Sequence, residues 1–162
     1  VTFEFDPIGV IRTPYTDSAP YQPIADDEGD FRIALDARFA AGLSELDAFR
    51  YIYVLYVIDR VAEKPSMTVP IHWAGDKAVG VFASRSPVRP NPIGLSIVQI
   101  RQVVGNEIVT SGLDVFDGTP VLDIKPYIDE LDAKPDAGFG WLGDLDDREH
   151  LLLHIKGVPH PY

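Results

Sequence analysis

Leu95-Ser96-Ile97-Val98-Gln99-Ile100-Arg101-Gln102-Val103-Val104-Gly105-Asn106-Glu107-Ile108-Val109-Thr110 is a run rich in β-branched residues, interrupted once by Gly105-Asn106. Val104-Gly105-Asn106-Glu107 reads as a hairpin turn, because Gly and Asn tolerate the backbone that joins two twisted antiparallel strands. The rest of the chain repeats the theme. Its 13 Gly and 14 Pro among 162 residues exceed the usual combined share of about 12%, and they fall at short intervals between β-branched and aromatic runs. Strands are expected at 8–12, 31–35, 51–58, 78–83, 95–104, 107–116 and 121–124. The fold class expected is mostly β, a barrel with short helical elements.

Working outward, Ser44 with Asp47 resembles an N-cap, which predicts a helical turn over 45–49 leading into the strand at Tyr51. Residues 51–58 are nearly all apolar and aromatic, fitting a central strand or a subunit interface. After residue 128 the chain changes character. Residues 129–135 are acidic and loop-like, 138–143 are glycine-rich, and 144–155 can hold one helix capped by Asp144. This predicts one domain over 1–128 and a C-terminal arm over 129–162 that packs on the domain or on a partner subunit.

The formal net charge is -11, which argues against indiscriminate nucleic-acid binding, since phosphate neutralisation supplies most non-specific affinity. The distribution matters more than the sum. Residues 78–106 contain no Asp or Glu but carry Arg85, Arg89 and Arg101, while acids crowd into 26–30, 129–136 and 144–149. With no cysteine, a disulfide framework, a thiolate metal site and a cysteine nucleophile are all excluded. There is no apolar run of the roughly 18 residues a membrane span needs, and no basic-then-apolar leader pattern, so a soluble, cytoplasmic protein is expected.

Two segments carry chemistry. The first is Ser84-Arg85-Ser86-Pro87-Val88-Arg89-Pro90-Asn91-Pro92-Ile93-Gly94-Leu95-Ser96. Its prolines restrict Ser86, Arg89 and Asn91, giving a prebuilt binding loop that loses little entropy when a ligand arrives. If that loop is extended, Arg89 and Asn91 project to one side. The second is Asp117-Gly118-Thr119-Pro120-Val121-Leu122-Asp123-Ile124-Lys125-Pro126-Tyr127. Asp117-Gly118 is a turn dipeptide, and strand alternation puts Asp123, Lys125 and Tyr127 on one face. The alternative to a functional face is a surface ion pair beside an exposed tyrosine, or an ion pair from this face to Arg85 and Arg89.

Other patterns weigh less. Gly138-Phe139-Gly140-Trp141-Leu142-Gly143 matches G-x-G-x-x-G but lacks the preceding buried strand and following βαβ unit, so it reads as an arm with Trp141 as an apolar anchor. His150 and His154 sit at i, i+4, yet no flanking pattern completes a metal set, and a solvated helix face is the expectation; no metal is predicted. His72 reads as structural or interfacial. No nucleophile elbow is present.

Together the two segments resemble the TsaA-like, or YaeB-like, family of TrmO-type tRNA methyltransferases. The resemblance rests on Ile8-Gly9-Val10-Ile11-Arg12-Thr13-Pro14-Tyr15, Leu46-Asp47-Ala48-Phe49, residues 80–96 and residues 117–127, in that order over about 120 residues. It implies a single-sheeted β-barrel that binds S-adenosylmethionine as a homodimer and methylates N6 of threonylcarbamoyladenosine at position 37 of tRNA. Position by position, it implies cofactor contacts from Pro20, Tyr21, Gln22, Tyr51, Ile52, Arg85, Leu95, Asp117, Gly118, Thr119 and Pro120. The chemistry of such a transfer, in which the acceptor nitrogen loses a proton, points to catalytic roles for Lys125 or Arg89 in stabilising negative charge and for Asp123 or Tyr127 in receiving the proton, with Asn91 expected to make loop, substrate or cofactor contacts. Longer bacterial members carry a C-terminal extension that looks RNA-contacting, where this sequence shows a short acidic tail. A non-catalytic S-adenosylmethionine- or nucleoside-binding module, or a small-molecule methyltransferase, are the competing readings.

Overall fold

A computed structural model describes residues 1–24 and 28–161; Asp26 and Asp27 of the expected acidic cluster lie outside the described residues. Among the described residues there are eight strands: β1 Gly9–Arg12, β2 Arg32–Leu35, β3 Tyr51–Val57, β4 Thr68–Ile71, β5 Lys77–Gly80, β6 Ile93–Val104, β7 Glu107–Thr110 and β8 Thr119–Pro126. Two helices follow, α1 Asp129–Asp132 and α2 Arg148–Ile155, with 3-10 turns between several elements.

Six strands pair antiparallel in the order β1-β2-β7-β6-β3-β8, and β8 pairs back onto β1, giving a closed barrel. The sheet is not the whole β content. β4 and β5 form a separate two-stranded sheet, so the single-sheet expectation holds for the ring alone.

The hairpin at 104–107 forms as the sequence suggests. Val104 pairs with Glu107, and Gly105 sits at φ 61, the first-position glycine that a II′ turn requires. β3 is a central strand, hydrogen-bonded to β6 on one side and β8 on the other. Its alternate residues Ile52, Val54 and Tyr56 point inward with Val98, Ile33, Ile108, Leu113 and Val121, closing the core with Phe31 and Ile11. Each fully buried Ile, Leu or Phe contributes about 1.5–3 kcal/mol over its exposed state.

Several boundaries differ from expectation. The strand expected over 107–116 stops at Thr110, because Ser111 turns its backbone N–H onto Gln99 O (3.0 Å) and receives Gln99 N–H on its hydroxyl (2.9 Å). Residues 81–83 form a 3-10 turn rather than the end of a strand. The helical turn before β3 covers Leu46–Ala48, with Glu45 in the left-handed region (φ 67), and a second 3-10 segment, Ala37–Leu43, precedes it with Asp36 as its cap. The last helix starts at Arg148 under Asp147, whose carboxylate accepts from His150 N (2.9 Å), not under Asp144. Residues 129–132 are a helical turn and not loop.

Candidate functional site

Antiparallel pairing places the proline-paced loop and the start of the second motif segment at one end of the barrel. β6 begins where the proline-paced loop ends, β8 begins where the Asp117-Gly118 turn ends, and the C-terminal end of β3 lies between them, with Val57 opposite Ile93 and Tyr56 opposite Val121. Just beyond β3, Ile58 N donates to Pro92 O (2.7 Å) and Arg60 Nη2 donates to Asp117 O (2.8 Å). Arg60 therefore stitches the turn to the strand end that also holds the loop.

The loop is fastened from within. Ser84 Oγ donates to Val81 O (2.9 Å) and accepts from Ser86 N (3.3 Å), while Ser86 Oγ accepts from Val88 N (3.3 Å). Arg89 Nη1 donates to both Ser84 O and Ser86 O (3.2 Å each). Arg89 is thus a loop staple. The extended geometry that would aim Arg89 and Asn91 the same way is absent: residues 89–91 bend, and Ile93 N reaches back to Asn91 O (2.7 Å). Arg85 is exposed and, among the described residues, makes no hydrogen bond or ion pair.

Sequence reading missed Asp114, between apolar Leu113 and Val115. Burial pushes its carboxyl up to about 6, with its backbone hydrogen bond and the charge of Arg85 opposing the rise. Nearby, Tyr56 is buried, and its phenol shares a 3.1 Å hydrogen bond with Ser96 Oγ. Desolvation raises the Tyr56 pKa, the Ser96 bond and Arg85 lower it, and the Asp114 charge adds to the rise. Gly94 is required here, since a Cβ would lie 2.0 Å from the Tyr56 ring. The linkage has a definite sign: a folded pKa above the unfolded value of about 3.9 means that stability is lost as pH rises from about 4 through 6, up to about 3 kcal/mol. Asp114→Asn is expected to match wild type near pH 4 and to melt progressively higher than wild type up to pH 7. Parallel melting curves at both pH values would refute the burial of an ionisable group at this position.

The turn itself is built for its geometry. Thr119 N returns to Phe116 O (3.2 Å) with Gly118 at φ 83, a type II turn. Asp117 carboxylate oxygens accept from Thr13 N (3.2 Å) and Arg12 Nη1 (3.3 Å), and buried Thr119 donates Oγ1 to Phe116 O (2.7 Å). Pro120, opposite Val10, continues the seam with β1. Asp117 also lines a hollow of about 420 Å³ with Arg12, Thr13, Pro14, Asp30, Arg32 and Glu107. Its charges are already paired, Arg32 with Asp30 (2.6 Å) and Glu107 (3.3 Å). No residue of the 84–92 loop lines that hollow, so the loop and turn define the candidate site better than it does. Pro20, Tyr21 and Gln22 lie in the β1–β2 connection, with Tyr21 largely exposed.

The remaining candidates sit at the other end of β3. Lys125 is opposite Tyr53, Pro126 is opposite Ile52, and Tyr127 N donates to Tyr51 O (3.0 Å). Along β3, Tyr51 lies six residues, about 20 Å, from the loop end at Val57, whereas Tyr53, opposite Lys125, lies four residues or about 13 Å from it and Leu55, opposite Asp123, only two. Tyr127 packs against Tyr51 (6.3 Å, edge-on) and Tyr53 (5.5 Å), while Lys125 Nζ pairs with Asp123 Oδ2 (2.8 Å) instead of any Arg pairing with Asp123. Ile52 is buried in the core, with no solvent-facing surface to offer a ligand. Lys125 is held by Asp123 and Arg89 by loop carbonyls, and no hydrogen bond or ion pair joins Lys125 to the loop among the described residues. Between the two ends, the outer face of β6 exposes Ile93, Leu95 and Ile97 at 48%, 53% and 51%.

His72 pairs with Asp76 (2.6 Å) at the surface. Trp141 donates Nε1 to Ala83 O (2.8 Å) and stacks on Trp73 at 6.3 Å, tying the glycine-rich segment to the residue just before the loop. His154, expected on a solvated face, is 4% exposed, and burial lowers its pKa with help from His150 and His160. Among the described residues no helix is long and apolar enough to cross a membrane.

Comparison with known proteins matches this layout. A protein of Archaeoglobus fulgidus named a probable S-adenosyl-L-methionine-binding protein is 38% identical over 154 residues, covering 92% of this chain and 41% of that protein. The tRNA (adenine(37)-N6)-methyltransferase of Escherichia coli is 37% identical over 147 residues, covering 84% of this chain and 62% of its own length. A crystal structure of TrmO superposes with a TM-score of 0.72 at 32% identity, covering 86% of this chain and 64% of that one. The chain thus spans less than two thirds of each of these three. Residues 10–133, carrying both motif segments and the strand between them, match the tRNA-methyltransferase O N-terminal domain, and the chain belongs to that family.

Proposed function

We propose that this chain binds S-adenosylmethionine and methylates N6 of threonylcarbamoyladenosine at position 37 of tRNA, working as a homodimer whose two subunits complete each site. The observation that carries the reading is the convergence of the 84–92 loop and the 116–118 turn on the end of β3, in a chain of this family. The groups there fit the cofactor: an exposed guanidinium at Arg85 for a carboxylate, exposed Phe82 and Leu95 for an apolar ring, and a fastened backbone. The dimer is supported by two facts. The outer β6 face is apolar, and Lys125, opposite Tyr53, stands four residues or about 13 Å along β3 from the loop end, a gap that a second subunit would help to close. On this reading residues 1–128 form the domain and 129–162 an arm.

S-adenosylmethionine, when bound, supplies an electrophilic methyl group on a sulfonium. The residues of this chain then have three tasks. Arg85, Asn91 and the Asp117–Pro120 turn hold one reactant so that attack is in line, where orientation alone is worth effective molarities of roughly 10⁵ M or more. Lys125 neutralises charge as the acceptor nitrogen loses its proton, and Asp123 or Tyr127 takes the proton. The Tyr51, Tyr53 and Tyr127 rings offer faces for a splayed-out base. The net charge of -11 leaves specific stacking and local Arg and Lys contacts as the means of holding RNA.

The test is incubation with methyl-labelled S-adenosylmethionine and tRNA carrying or lacking threonylcarbamoyladenosine. Label in the modified tRNA alone is expected. Tight cofactor binding by calorimetry with no transfer to either tRNA would replace this reading with that of a non-catalytic cofactor-binding module.

A further inference from the structure

Three histidines outside the proposed methyl-transfer site converge on one point. His150 and His154 share a face of α2 at i, i+4. The helix then ends in a Schellman turn: Val158 N donates to Leu153 O (2.9 Å), Gly157 N donates to His154 O (3.1 Å), and Gly157 takes φ 63. That reversal, followed by Pro159, folds the chain back so that His160 meets the same helix face. The ring centroids form a triangle with edges of 4.6, 4.8 and 4.6 Å. His154 Nε2 lies 3.1 Å from His150 Nε2 and 3.3 Å from His160 Nε2, and the three ligand atoms lie within 4.8 Å of one another.

Tautomers make this arrangement informative. His160 Nδ1 is 2.6 Å from Val158 O, a carbonyl that can only accept, so the proton of a neutral His160 sits on Nδ1 and its Nε2 presents a lone pair. If His154 Nε2 carries a proton, that single proton faces two neighbours. If it does not, two lone pairs face each other across 3.3 Å. Three imidazole nitrogens within 4.8 Å of one another are close enough to converge on one cation. Tetrahedral Zn–N bonds of 2.0–2.1 Å separate ligand nitrogens by about 3.3–3.4 Å, close to the two observed spacings. The carbonyl on His160 Nδ1 is also the outer partner that metal-bound imidazoles usually have.

We propose that His150, His154 and His160 form a binding site for one divalent transition-metal ion of the zinc type, which clamps the C-terminal helix to the tail that follows it. Imidazole ligands without thiolate suit Zn²⁺ and its neighbours Co²⁺, Ni²⁺ and Cu²⁺, and three ligands leave a fourth position open. The clamp has a path to the body: Trp73, between β4 and β5, packs on His154 with ring centroids 4.4 Å apart and stacks on Trp141, which holds Ala83 next to the proline-paced loop.

The experiment titrates the tag-free, metal-stripped full chain with ZnCl₂ by calorimetry and with CoCl₂ by visible absorption and tryptophan fluorescence. Expected are one ion per chain, intense four-coordinate Co²⁺ bands, quenching of Trp73, and a higher melting temperature with Zn²⁺. His150→Ala and His160→Ala, both at positions that leave the core intact, each weaken binding by about a hundredfold or more, and His72→Ala leaves it unchanged. Absence of binding by the folded chain overturns the site, as does undiminished Zn²⁺ affinity in folded His160→Ala. Activity of the metal-stripped protein bears on the methyl-transfer reading alone, so the two can fail separately.

Discussion

Gly9→Ala is expected to lower the melting temperature by about 6–12 °C, equivalent to roughly 3 kcal/mol, one of the two largest effects predicted for this chain. A Cβ at Gly9 would lie 2.2 Å from Ala34 O and 2.7 Å from Leu35 Cα, both backbone atoms that cannot rotate aside. β1 has nowhere to retreat, since Gly9 is paired with Leu35 on one side and Val121 on the other, and Ile8 N and O are bonded to Val121 O and Asp36 N (2.8 and 2.9 Å). Relief means opening the seam that closes the ring. Gly42→Ala is the matched control: its Cβ would meet nothing within 4 Å, and the reduced unfolded-state freedom makes it neutral or slightly stabilising. Thermal melts of both variants check the contrast. A Gly9→Ala protein melting within about 2 °C of wild type would show that the β1 seam yields far more easily than its pairing indicates.

Gly9 also illustrates what the sequence made legible. The Gly-Asn hairpin, the central β3 strand and the two motif segments are local signals, set by turn chemistry and by side-chain type, and they survive folding unchanged. β4 escaped notice because Pro70 interrupts its short apolar run, and proline argues against a strand unless the strand is an edge, as it is in a two-stranded sheet. The strand at 107 was read six residues too long because β-branched and apolar residues continue past Thr110, while its end is decided by a tertiary bond from Ser111 to Gln99. Three aspartates, 144, 146 and 147, compete to cap the last helix, and only Asp147 lies three residues before a free helical N–H at His150. Within the candidate site, residue types were readable but their partners were not. Arg89 looked like a ligand-facing cation and is a staple; Asp114 looked like an interruption of an apolar run and is the most perturbed carboxyl among the described residues. His160 is five residues beyond the end of the helix at Ile155, and nothing short of the Schellman turn shows that it returns to His150 and His154.

The split of candidate residues between the two ends of β3 leads to the other large expected effect. Arg85→Ala and Lys125→Met should each abolish measurable methyl transfer, by different routes: the first by weakening cofactor binding, the second by leaving it within severalfold while removing the cation near the acceptor. If each site takes its loop from one subunit and its Lys125 face from the other, a mixed dimer of the two variants has one site with both lesions and one with neither. Random reassortment makes half of the dimers mixed, so co-refolded variants should recover about a quarter of wild-type turnover. A site assembled within one chain recovers nothing, because every chain then carries a broken site. The outer β6 face supplies an internal control. Ile93→Asp and Ile97→Asp place carboxylates on an exposed apolar surface without touching the core, so the monomer keeps its fold. They should shift the protein to monomer by sedimentation and abolish the recovery with it. Absence of recovery in a stable dimer would return the whole site, Arg85 and Lys125 together, to one chain.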